Sequence, residues 1–121
     1  MEDTDFAKRI RFGRLYDFYG GLLTDKQKNI MEFYFYDDYS LAEIAAKENT
    51  TRQAVYDLLK RVEQTLEKYE EKLKLLERDE SQHFEVRAAA KLLKTYILEG
   101  HEDPRLKETL KILQDIEEKG R

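Results

Sequence analysis

Between Leu23 and Val62 the chain reads LTDKQKNIMEFYFYDDYSLAEIAAKENTTRQAVYDLLKRV, and here a short helix has to stop and another start within a few residues. Ser40 and Glu43 form the Ser-x-x-Glu capping box that opens a helix. That helix carries Leu41, Ile44 and Ala45 on one face at i, i+3, i+4 spacing. Ala45 and Ala46 are small, so a second helix can cross close by. Glu48-Asn49-Thr50 reads as the turn, and Asn49 tolerates the left-handed backbone that ends helices. Thr50 or Thr51 then caps a helix with Val55, Leu58, Leu59 and Val62 facing inward. A preceding helix, capped by Thr24, supplies a third wall through Ile30, Phe33 and Tyr34, flanked by Met31 and Phe35. Asp37-Asp38-Tyr39 ends it. Caps, turn and periodicity agree on three helices, the last two forming a helix-turn-helix. In such a unit the outward N-terminal surface of the second helix reads a major groove. The candidate nucleic-acid-binding residues are therefore Thr51, Arg52, Gln53, Tyr56 and Lys60.

The pattern LTDKQ…SLAEIAAKENTTRQAVYDLLKRV resembles the C-terminal promoter-reading domain (region 4) of bacterial sigma factors. A closer resemblance is to the YlxM-like family, in which, as here, RFGRLYDFYGGLLTDKQ leads into SLAEIA, then TRQAVYDLLKR, then a long charged helix. The likeness covers Arg11 to about Leu75 well and the remainder loosely. It implies a DNA-binding regulatory protein encoded beside signal recognition particle genes, taking part in or regulating that pathway.

The chain of 121 residues has one proline, five glycines and no strand-like alternation, which points to a single all-α domain over 1–121. Its segments are an N-terminal helix in 1–23, the helix-turn-helix unit in 24–62, and a long-helix extension with a C-terminal antiparallel helical pair in 63–121. Asp5 to Tyr19 forms the first helix, with Thr4 as its cap and Gly20-Gly21 at its end. Its aromatic residues Phe12, Tyr16, Phe18 and Tyr19 suit core packing against Phe33 and Phe35, or alternatively a base-stacking platform. Leu59, Val62, Leu66, Tyr69, Leu73 and Leu76 recur at the alternating three and four spacing of a heptad seam. With no Gly or Pro between Thr51 and Asp79, the pattern predicts one uninterrupted helix of about 28 residues, roughly 40 Å long. Asp79-Glu80-Ser81 then breaks the run. A helix over about Gln82 to Leu98 packs by Phe84, Ala88, Leu92 and Tyr96, with Ala89, Leu93 and Ile97 beside them, and Gly100 ends it. Asp103 caps a last helix that has Pro104 at its first position, a face of Leu106, Leu110, Leu113 and Ile116, and Gly120 at its end. The two C-terminal helices can cover the seam within one chain but leave second stripes bare, so a homodimer through 63–121, with the N-terminal helix as a further contributor, is expected over the alternative of a monomeric bundle in which the C-terminal pair folds back.

Without cysteine there are no disulfides or thiolate metal sites. No apolar run reaches the ~20 residues of a membrane span, and MEDTDFAKRIRF lacks a secretory h-region, so a cytoplasmic protein without membrane insertion is expected. His83 and His101 stand in no ligand spacing, Asp37 and Asp38 suit a turn, and no nucleophile or phosphate-loop motif occurs. The expectation is a non-enzyme with no cofactor. Two functions compete. The motif favours DNA, bound by Arg52, Gln53 and Tyr56 with Lys60 on the backbone. A net charge of −4, and Asp57 on the same face, favour a protein- or ribonucleoprotein-interaction module of the signal recognition particle that keeps the helix-turn-helix as scaffold. Segments 1–23, 24–62 and 63–121 carry 4 basic and 4 acidic, 6 and 7, and 12 and 15 residues, so none is basic as a whole. A local patch requires the fold to join Lys8, Arg9, Arg11 and Arg14 to Arg52, Lys60 and Arg61.

Overall fold

Local capping chemistry sets most of the helix boundaries. The computed structural model describes residues 2–119, and Gly120, expected to end the last helix, lies outside them. The order is α1 (Glu2–Tyr19), a 3-10 turn (Gly20–Leu22), α2 (Asp25–Phe35), α3 (Leu41–Lys47), α4 (Arg52–Leu73), α5 (Leu75–Leu98) and α6 (Pro104–Lys119), with no strand among the described residues. The protein is all-α. α1 starts at Glu2, so Thr4 lies inside the helix it was expected to cap. Thr24 and Ser40 each accept from the backbone N–H of the third helical residue, while Gln27 and Glu43 reach back to the cap N–H. Both are complete capping boxes. At the end of α1, Gly20 has to be small, because a Cβ there would stand 3.0 Å from the Tyr16 ring.

The chain divides into two units, one ending at Leu76 and one starting at Glu77. In the first, α4 is the central element and meets α1, α2 and α3. The core joins Phe12, Leu15 and Tyr19 of α1, Ile30 and Met31 of α2, Ile44 and Ala45 of α3, and Val55, Leu59, Val62 and Leu66 of α4. Met31, expected at the flank of its stripe, is fully buried, whereas Phe33, Tyr34 and Phe35 are only partly covered. Of the α1 aromatics, Phe12 and Tyr19 are core, Tyr16 packs against the core, and Phe18 is exposed.

The uninterrupted helix over Thr51–Asp79 does not form. α4 stops at Leu73, Lys74 adopts the left-handed conformation at φ 55°, and α5 begins at Leu75. The cause lies on another helix. The Tyr19 hydroxyl donates to the buried Glu70 carboxylate at 2.6 Å and accepts from the Leu75 N–H at 3.0 Å. Glu70 also accepts from the Leu76 N–H at 3.0 Å. Two side chains from α1 and α4 thus satisfy the first free N–H groups of α5, which a helix start requires. The break lets Leu76 turn back into the core and leaves Leu73 exposed. Asp79, Glu80 and Ser81, expected to end a helix, lie inside α5.

In the second unit, α5 and α6 run antiparallel, with the His83 imidazole 3.1 Å from the Glu117 carbonyl at one end and the Tyr96 and His101 rings stacked at 3.7 Å at the other. Asp103 caps α6 by accepting from the Arg105 N–H at 2.9 Å, and Gly100 takes φ 106°. Burial on α5 follows Val86, Ala90, Leu93 and Ile97. The expected packing row of Phe84, Ala88, Leu92 and Tyr96 is exposed instead. Both rows are apolar, and Ala90 on the covered one is buried.

Three tyrosines donate to carboxylates: Tyr16 to Glu32, Tyr19 to Glu70 and Tyr36 to Asp17. Burial, then the Glu32 charge, push the Tyr16 phenol up to about 12. Burial, then the bond to Glu70, raise Tyr19, and burial with the bond to Asp17 raises Tyr36. A raised folded-state pKa gives stability that is complete below the unfolded value of about 10 and is lost as pH rises through the folded value. Helical ellipticity is therefore expected to hold to about pH 10 and to fall between there and about pH 12, together with phenolate absorbance. All phenols ionising near pH 10 with helicity intact would contradict this coupling.

Candidate nucleic-acid interface

The turn between α3 and α4 is built from backbone. Asn49 sits at φ 54°, the Thr50 N–H donates to the Ala45 carbonyl at 2.9 Å, and the Asn49 N–H donates to the Ala46 carbonyl at 3.4 Å. This is the Schellman closure that an αL residue permits. Thr51 caps α4, its hydroxyl accepting from the Ala54 N–H at 3.1 Å. Its side chain thus holds the helix start.

Arg52 and Gln53 follow on the exposed first turn of α4. The Gln53 amide donates to the Asp57 carboxylate at 3.0 Å, so Asp57 orients the amide and places a negative charge beside it. Tyr56 and Lys60 turn toward α1. The Lys60 ammonium lies 5.4 Å from the Tyr56 ring centroid and 3.6 Å from Glu63, which Lys8 approaches at 3.9 Å. Together these residues edge a groove of about 520 Å³ floored by Phe12, Tyr34, Phe35, Leu41 and Leu59. Arg52 and Gln53 do not line it. The five expected residues therefore divide into a cap, an exposed pair, and a pair at the groove edge.

The fold spends much of the expected basic patch on internal pairing. Arg11 holds Glu67 in a two-pronged contact at 2.7 and 3.0 Å. Arg9 donates to the Tyr34 carbonyl at 2.7 Å and to Asp38 at 2.9 Å, and its guanidinium covers the Tyr34 and Phe35 rings. Arg61 is exposed and Arg14 is half-buried. The groove was not visible in the sequence. Only the pairing of its edge had a trace there: Lys8 and Arg11 stand about one helical turn apart on α1, as do their partners Glu63 and Glu67 on α4. Asp38, at φ 59° and held by Arg9, is a turn residue. Among the described residues no His, Asp or Glu group could hold a metal ion, and no helix is long and apolar enough to cross a membrane.

The family described as "Putative helix-turn-helix protein, YlxM / p13 like" matches residues 6–102. A UPF0122 protein of Geobacillus sp. (strain WCH70) is 43% identical over 111 residues, covering 91% of this chain and 97% of the relative. One from Listeria monocytogenes serovar 1/2a is 44% identical over 113 residues, covering 93% and 99%. One from Lactococcus lactis subsp. cremoris reaches 58% over 71 residues, 59% of this chain and 64% of its own length. The family is described by a helix-turn-helix and is not an enzyme family. With the α3–turn–α4 geometry and these matches, the chain belongs to the UPF0122 family of YlxM/p13-like helix-turn-helix proteins.

Proposed function

We propose that this chain is a non-enzymatic, cytoplasmic DNA-binding regulator that places the first turn of α4 in a major groove. The observation that carries this reading is the exposed pair Arg52 and Gln53 directly after the Thr51 cap. An exposed guanidinium can bond a guanine through two hydrogen bonds, and a side-chain amide can do the same for an adenine. Lys60 would reach the phosphate backbone only by exchanging Glu63 for it. Selection of bound DNA fragments across a salt series tests the reading. Arg52→Ala is expected to weaken the selected sequence by about 1–3 kcal/mol while the melting temperature stays put. Lys60→Ala is expected to weaken all sequences alike and to reduce the salt slope. Unchanged binding in both variants would remove α4 from the interface.

A second reading is supported by the groove, whose aromatic and aliphatic floor with lysines at the edge suits an apolar side chain of a protein partner. The family resemblance connects such a partner to the signal recognition particle. Binding to purified signal recognition particle protein or RNA, with no DNA fragment enriched, would replace the first reading with this one.

A further inference from the structure

The first turn of α4 holds no acidic residue, whereas α2 and α3 carry Asp25 and Glu43 in theirs, where a carboxylate meets the positive end of the helix dipole. The first carboxylate of α4 comes one turn later, at Asp57, exposed like Gln53 four residues before it. Side chains of a helix lean toward its N-terminus, so Asp57 lies back over the preceding turn. There its Oδ1 accepts from the Gln53 Nε2 at 3.0 Å.

Two properties of this contact bear on base reading. A carboxylate only accepts, so it settles which end of the Gln53 amide is the nitrogen. That nitrogen carries two hydrogens, and Asp57 takes one of them. The second hydrogen and Oε1 remain. They are the donor and acceptor that meet N7 and the N6 amino group of adenine in the major groove. A free glutamine rotates about its last bond and offers its two ends in either order. With the nitrogen tied to Asp57, one order is offered. No other base bonds that order twice, since guanine shows two acceptors there, cytosine one donor and thymine one acceptor. The charge of Asp57 has a separate effect. It opposes phosphate, whose neutralisation supplies binding to every sequence alike. Orientation depends on the acceptor oxygen and repulsion on the charge, so the two can be pulled apart by substitution.

We infer that Asp57 is a positioning residue for base reading: its carboxylate holds the Gln53 amide in the order that bonds adenine twice, and its charge lowers the affinity for DNA of any sequence. This rests on the major-groove reading of α4. A Gln and an Asp four residues apart also steady a helix modestly, so base preference, which helix stability does not move, is the readout.

The probes are the DNA fragment selected by the full chain, its single-base variants, and an unrelated fragment of equal length. The full chain is expected to show one adenine preference that disappears in Gln53→Ala. Asp57→Ala is expected to cut that preference about ten-fold, much of the value of a two-bond base contact, and to bind the unrelated fragment more tightly. Asp57→Asn keeps an acceptor oxygen without the charge. It is expected to restore the adenine preference while keeping the tighter general binding. Adding Asp57→Ala to the Gln53→Ala chain is expected to leave base preference alone. Helical ellipticity is expected to match the parent throughout. Full adenine preference in Asp57→Ala, or a loss in Asp57→Asn as large as in Asp57→Ala, would overturn the positioning role and leave DNA binding standing. A selected sequence in which no adenine depends on Gln53 would do the same. If Asp57→Ala shifts base preference in the Gln53→Ala chain, Asp57 contacts a base itself and does not act through Gln53. Unaltered binding of the unrelated fragment by Asp57→Ala would overturn the effect of the charge. A full chain that selects no fragment overturns the major-groove reading and this inference together.

Discussion

Glu70→Ala is expected to lower the unfolding free energy by about 3 kcal/mol, the size of leaving several buried hydrogen-bonding groups unmet. Glu70 is the one charged side chain buried in the core among the described residues. Truncating it strands the Tyr19 hydroxyl and the Leu76 N–H in a place water does not reach. The expected signature is local as well as global: amide exchange at Leu75 and Leu76 should accelerate beyond the overall loss, because their acceptors go or loosen. Tyr19→Phe should reproduce the faster exchange at Leu75 at a smaller cost of about 1–2 kcal/mol, since the ring still packs. If both variants melt like the parent, the hydrogen-bonded junction contributes nothing and the boundary at Lys74 needs another cause.

Leu66→Ala is expected to cost about 3–4 kcal/mol, and Leu73→Ala under about 0.5 kcal/mol. In the heptad pattern the two are equivalent seam positions. In the fold, Leu66 is fully buried between α4 and its neighbours while Leu73 is 47% exposed. Denaturant unfolding of the two variants separates the alternatives. Similar large losses would mean that the α4 seam is covered along its whole length, as in a continuous coiled coil. A large loss at Leu66 alone fits α4 being covered by α1 and by the returning Leu76.

Where a boundary depends on neighbours in the chain, the sequence alone determined it. Ser40 with Glu43, Thr24, Thr51, Asn49, and Asp103 with Pro104 all act within one turn of themselves, and each stands where the local pattern requires. The all-α class and the helix-turn-helix follow from those signals, as does the exposure of Arg52 and Gln53. Three features were decided only by the tertiary structure. The end of α4 at Lys74 depends on Tyr19, far away in the chain, whose hydroxyl meets Leu75 only after α1 has docked. The choice between two apolar rows on α5 was made by the approach of α6, since a helix apolar on several sides has no preferred face until a partner arrives. The fate of the cations was decided by which carboxylates the packing of α1 on α4 brought within reach, so that Lys8, Arg11 and Lys60 meet Glu63 and Glu67. Local chemistry fixes a helix start within one turn, whereas burial and charge pairing are properties of two surfaces and exist only once both are in place.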